Sequence, residues 1–77
     1  MPLDAKILDP IGWHRRWLEV RDRAAVILRP GYTLDADAVV FDMFELGVNT
    51  LVGCGLDVCV IDDSIRRNAT YPGGGHA

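Results

Sequence analysis

Pro30-Gly31 is the sharpest break in the sequence. A residue with fixed φ and no amide proton precedes one with no Cβ, and neither a helix interior nor a central strand runs through such a pair. Gly47, Gly53 and Gly55 cut the second half of the chain, so the apolar content is dealt out in short pieces. No piece reaches the ~18 unbroken apolar residues of a membrane span; the best window, 46–61, is interrupted by Asn49 and Asp57 and holds three glycines. In a chain of 77 residues these pieces must share one core, because a chain of that size buries only roughly 60% of its unfolded surface. One compact domain over residues 1–70 is expected, followed by a flexible Gly-rich tail, "YPGGGHA", over 71–77.

Upstream of the break, residues 10–23 read as a helix. Asp9 is placed to cap it and Pro10 to occupy its first position, where a missing N–H costs nothing. Trp13, Trp17, Val20 and Ala24 recur at intervals of four, three and four, which makes them the core stripe, with Trp17 the anchor expected to be buried against a sheet. Glu19 and Arg23 are spaced for an i,i+4 ion pair. The run "AAVILR", 24–29, then loses helical periodicity and reads as a central strand, although periodicity alone does not separate it from a longer first helix.

Downstream, residues 35–46 read as a second helix, capped by Thr33 or Asp35 and closed by Gly47. Its apolar face is Ala36, Val39, Val40, Met43, Phe44 and Leu46. Asp42 and Glu45 fall opposite, Asp35 and Asp37 suit the positive end of the helix dipole, and Phe41 points towards the acids. "VNTLVG" (48–53) and "LDVCVI" (56–61) read as two strands of a hairpin turning at Cys54-Gly55, and "DDSIRRNA" as a closing helical turn or coil. The expected fold is therefore α+β in the order α-β-α-β-β, two helices on one face of a three-stranded sheet.

"VGCGLDVC" (52–59) is the stretch that most resembles chemistry. Zinc takes four ligands in paired clusters, and Cys54 and Cys59 have four residues between them and no second pair nearby; the spacing is not that of a thioredoxin-type redox site either. Cys59, between Val58 and Val60, reads as a buried apolar residue of a strand. No metal and no cofactor is expected. His14, in an Arg-rich helix, reads as a surface histidine without a catalytic partner. Asp62-Asp63 reads as a solvated turn, and "DDSIRR" around Ser64 is not a nucleophile elbow. An enzyme is not expected. A helix-turn-helix fails as well, because the segment after Gly47 holds interior glycines and no Arg or Lys where a reading helix would need them.

Charge is distributed unevenly. Residues 1–30 hold six bases and four acids; residues 31–63 hold seven acids and no base; Arg66 and Arg67 come after them, for a net charge of −3. A field of that sign steers towards a basic partner surface and away from nucleic acid. An aromatic residue ringed by carboxylates resembles the anchor and rim of an interface, which singles out Asp37, Phe41, Asp42 and Glu45 as partner-binding residues. The expectation is a small non-enzymatic binding module, an inhibitor or adaptor, whose acidic helix docks on a basic surface of a protein or nucleoprotein complex. Phages and mobile elements encode small acidic proteins of this kind, anti-CRISPR proteins among them, and the comparison rests on size and charge. The alternative is a subunit of a homo-oligomer or larger assembly that pairs through the apolar hairpin edge. With no basic, apolar leader at the N-terminus, a cytoplasmic location is expected.

Overall fold

The computed structural model describes residues 6–53 and 55–71. Three helices carry the fold: α1 (Pro10–Ile27), α2 (Ala36–Leu46) and α3 (Leu56–Arg67). Residues 6–8 are helical as well. Two-residue strands, β1 (Thr33–Leu34) and β2 (Ala69–Thr70), pair antiparallel, Thr33 opposite Thr70 and Leu34 opposite Ala69. The expected three-stranded sheet therefore does not form, and the order α-β-α-β-β gives way to α-β-α-α-β. Of the expected tail, residues 72–77 lie outside the described residues, and Tyr71 packs on Tyr32 with ring centroids 5.1 Å apart.

Helix α1 begins as its capping residues dictate. Asp9 accepts a hydrogen bond from the Gly12 amide at 3.0 Å, and Pro10 takes the first position. It does not stop at residue 23. The stripe of buried positions Trp13, Arg16, Val20 and Ala24 continues to half-buried Ile27, so "AAVILR" is mostly helix and not a strand. Burial at one further helical step outweighs the β preference of Val26 and Ile27. The helix ends at Leu28, which turns to an extended conformation two residues ahead of Pro30.

Helix α2 forms where expected. Asp35 accepts from the Ala38 amide at 3.2 Å, and Gly47 closes the helix with φ 74°, a left-handed conformation that favours glycine. Ala36, Val39, Val40 and Met43 are buried, whereas Leu46, expected on the core face, is half exposed.

The hairpin is the larger correction. Residues 48–53 carry no strand, and 56–67 is α3, entered through Gly55 at φ 60° without a side-chain cap. "LDVCVI" alternates like a strand only as far as Ile61. Continued onward, Val58, Ile61 and Ile65 fall at three- and four-residue intervals, and Ile61 and Ile65 are fully buried. Cys59 is consequently exposed on the helix and not buried in a sheet, and Cys54 lies outside the described residues. The apolar hairpin edge expected to support assembly does not form. A helix does come after Gly47, contrary to the sequence-based expectation, but it starts only at Leu56, a longer connection than the three- or four-residue turn of a helix-turn-helix.

The core lies among the three helices, where Val20, Val39, Val40, Met43, Ile61 and Ile65 are fully buried. Polar residues of α1 lock its surroundings in place. Arg16 donates from Nε to the Val48 carbonyl at 3.0 Å and from Nη2 to Asn49 Oδ1 at 2.7 Å, with its guanidinium 3.8 Å from the Phe44 ring centroid. Glu19 accepts from Thr50 Oγ1 at 2.5 Å and from the Leu51 amide at 3.3 Å. Arg23 donates both arms of its fork to Asp62 on α3, at 2.8 and 2.7 Å. The expected Glu19–Arg23 pair is thereby replaced, since each side chain reaches a different element.

Of the two tryptophans, Trp13 is the core residue, 3% exposed, and Trp17 is only half-buried. Trp13→Ala is expected to cost about 3–5 kcal/mol, enough to abolish a cooperative melt in a domain this small, and Trp17→Ala distinctly less. Urea melts of both variants followed by circular dichroism check this, and equal losses would contradict the burial order.

Candidate functional site

The four residues singled out in the sequence all lie on α2, but they do not form one open patch. Asp37, in the first turn, accepts a hydrogen bond from Trp13 Nε1 at 3.1 Å and sits 3.6 Å from Lys6 Nζ. One turn on, Phe41 packs edge-on against Trp13 with centroids 5.0 Å apart and planes at 71°, and stays half-buried. Phe44 stacks on the same indole at 5.4 Å. Asp37 and Phe41 thus belong to the seam with α1. Asp42 faces the other neighbour, accepting from the buried Ser64 hydroxyl of α3 and lying 3.6 Å from Arg67. Glu45 is exposed and has no partner among the described residues.

The charge segregation of the sequence is largely undone in space. The acids of 31–63 draw bases from outside that segment: Lys6 to Asp37, Arg67 to Asp42, Arg66 to Asp63 at 3.8 Å and Arg23 to Asp62. Asp35 is occupied as the cap of α2. Among these pairs of described residues, Arg23–Asp62 is the one that is part-buried and bidentate. The hydrogen bonds from Arg23 hold the Asp62 carboxyl below its ordinary range, against the opposing effect of desolvation, and the same contact raises Arg23. Asp62, expected in a solvated turn, is instead a buried helical residue.

A second feature was not expected from the sequence. Trp17 lies between His14, stacked at 5.9 Å and 15°, and the Arg21 guanidinium, 5.0 Å from its ring centroid. Trp17 lines both of two open concavities, with Arg21 on one side and His14 on the other. One, of about 600 Å³, runs past Arg21, Arg29 and Tyr32; the other, of about 450 Å³, is bounded by Lys6, Pro10 and Trp13, and Asp37 borders both. The signal was present in the spacing: His14 and Arg21 flank Trp17 at i−3 and i+4, which places polar groups on either side of the indole along its own face. The groove offers an aromatic wall with charges of both signs. Among the described residues no group of three or more His, Cys, Asp or Glu side chains is gathered to hold a metal ion, and Cys59 borders neither concavity.

No family model matches the chain, no curated protein is recognisably similar to it, and no solved structure matches its fold. Among the described residues no helix is long and apolar enough to cross a membrane.

The lowered Asp62 pKa carries a pH dependence of known sign. A group whose folded pKa is depressed contributes stability above its unfolded pKa, about 3.9 for an aspartate, and loses it as pH falls through the folded value. At neutral pH Asp62→Asn should be less stable than wild type, and the gap should close as pH falls from about 5 to below 4. Urea melts across that range test it; a gap independent of pH would remove the ion pair as its source.

Proposed function

We propose that the chain is a small non-enzymatic protein-binding module, an adaptor or inhibitor, that meets a basic protein surface through the outward side of α2. The observation that carries this reading is the set of acids presented along one firmly held helix. Val39, Val40 and Met43 bury its inner side, Asp35 and Gly47 close its ends, and Glu45 is left exposed and unpaired among the described residues. The pairs that occupy Asp37 and Asp42 involve exposed cations, Lys6 and Arg67. Such surface pairs are worth about 0–1 kcal/mol, so a partner's arginine or lysine replaces them at small cost. Meanwhile they hold the carboxylates in place, which lowers the entropy lost to ordering on association. Phe41 supplies apolar area between the acids, with its ring already fixed against Trp13.

Glu45 gives the cleanest test, because Asp37 and Asp42 also serve the fold. Glu45→Lys should shift stability by no more than about 0.5 kcal/mol, as surface substitutions do. In affinity capture from native-host extract, a basic protein retained by the wild type should be lost from Glu45→Lys and should elute as salt rises. Retention indifferent to both the reversal and salt would move the binding surface off α2.

A further inference from the structure

The face of α1 that points away from the core carries exposed apolar residues that no other described residue covers. Ile11 and Val26 are each 74% exposed and Leu18 is 47% exposed, with exposed Arg15 and Asp22 set between them. At 100° per residue these five positions share an arc of about 80°, diametrically opposite the stripe of Trp13, Val20 and Ala24. Arg15 and Asp22 have no partner among the described residues, whereas Arg16, Glu19 and Arg23, turned inward, are all engaged. From Ile11 to Val26 this mixed stripe spans sixteen residues, about 22 Å at 1.5 Å per step, and apolar residues interleaved with unpaired charges are the kind of surface that a binding partner covers.

The order of residues along the stripe says what covers it. Arg15 and Asp22 are equidistant from a midpoint beside Leu18, and Ile11 and Val26 are equidistant from the same midpoint. We propose that this face binds a second copy of the chain, with the two α1 helices antiparallel about a two-fold axis that passes between positions 18 and 19, beside Leu18. Each Arg15 then meets the other copy's Asp22, the two Leu18 side chains meet at the axis, and Ile11 packs near Val26 at both ends. The stripe is complementary to its own reverse, which is the requirement of an isologous interface. A parallel pairing would set Arg15 against Arg15 and Asp22 against Asp22, so the charges select the antiparallel one. The surface is distinct from the outward side of α2, and the proposal stands whether or not α2 binds a partner.

Sedimentation equilibrium of the purified protein from about 1 μM to about 1 mM tests it. The wild type should show a reversible monomer–dimer equilibrium. Leu18→Lys should leave the circular dichroism spectrum and melt of the monomer intact and abolish the dimer. Arg15→Asp alone and Asp22→Arg alone each oppose like charges at two symmetric contacts, and each should raise Kd at least about tenfold. Combining Arg15→Asp with Asp22→Arg restores the complement and should return Kd towards the wild-type value. A monomer throughout the range would overturn the proposal. So would a dimer indifferent to Leu18→Lys, or a double exchange no tighter than the single reversals.

Discussion

The Arg16 guanidinium is the point on which the fold turns. Gly47 ends α2 in the left-handed region and directs the chain back, with the Val48 amide on the Met43 carbonyl at 2.8 Å and the Val48 side chain buried. The Val48 carbonyl then faces inward with no helix or strand to receive it. Arg16 supplies the donor and uses a second nitrogen to hold Asn49, while Phe44 covers the face of the guanidinium. One nitrogen, Nη1, is buried without a hydrogen-bond partner among the described residues, a cost that the contact with the aromatic face offsets in part. Glu19 and Arg23 continue the row by about one turn each, gripping residues 50–51 and then Asp62. A connection without regular structure and the helix beyond it are thus both positioned by one polar ridge of α1.

That ridge explains what was and was not legible in the sequence. Signals acting within a few residues were readable: Asp9 and Pro10 at the start of α1, and Asp35 and Gly47 at the two ends of α2. Each works through local backbone geometry and needs no distant partner. The failures share the opposite character. The partners of Arg16, Glu19 and Arg23 lie more than thirty residues away, where only the local i,i+4 spacing of Glu19 and Arg23 was readable. The helical reading of α3 needed Ile65, four residues past the point where strand-like alternation ended. Trp13 and Trp17 sit on the same stripe, and which of them is buried depends on the aromatic residues of α2 that close over Trp13.

The candidate site has the same history. The excess of acids in 31–63 is a true property of the sequence, but a helical fold returns Arg23, Arg66, Arg67 and Lys6 to it. Field arguments made along a chain therefore overstate what a partner meets. What survives folding on α2 is narrower: exposed Glu45, the carboxylates of Asp37 and Asp42 beside exposed Lys6 and Arg67, and half-buried Phe41. Likewise the aromatic groove at Trp17 and the exposed outer face of α1 arise because α1, at 18 residues, is longer than α2 and α3, at 11 and 12, which cover only part of it.

The two-residue ladder between β1 and β2 also has a kinetic meaning. It joins positions roughly 35 residues apart, a loop that contains both α2 and α3. Four paired residues, even with the Asp35 amide on the Asn68 carbonyl, do not offset the closure of such a loop by themselves. The ladder forms only when the two helices have already docked and brought their ends together. It is a clasp that closes late, and its amides should be the earliest to exchange when α3 begins to lift from the core.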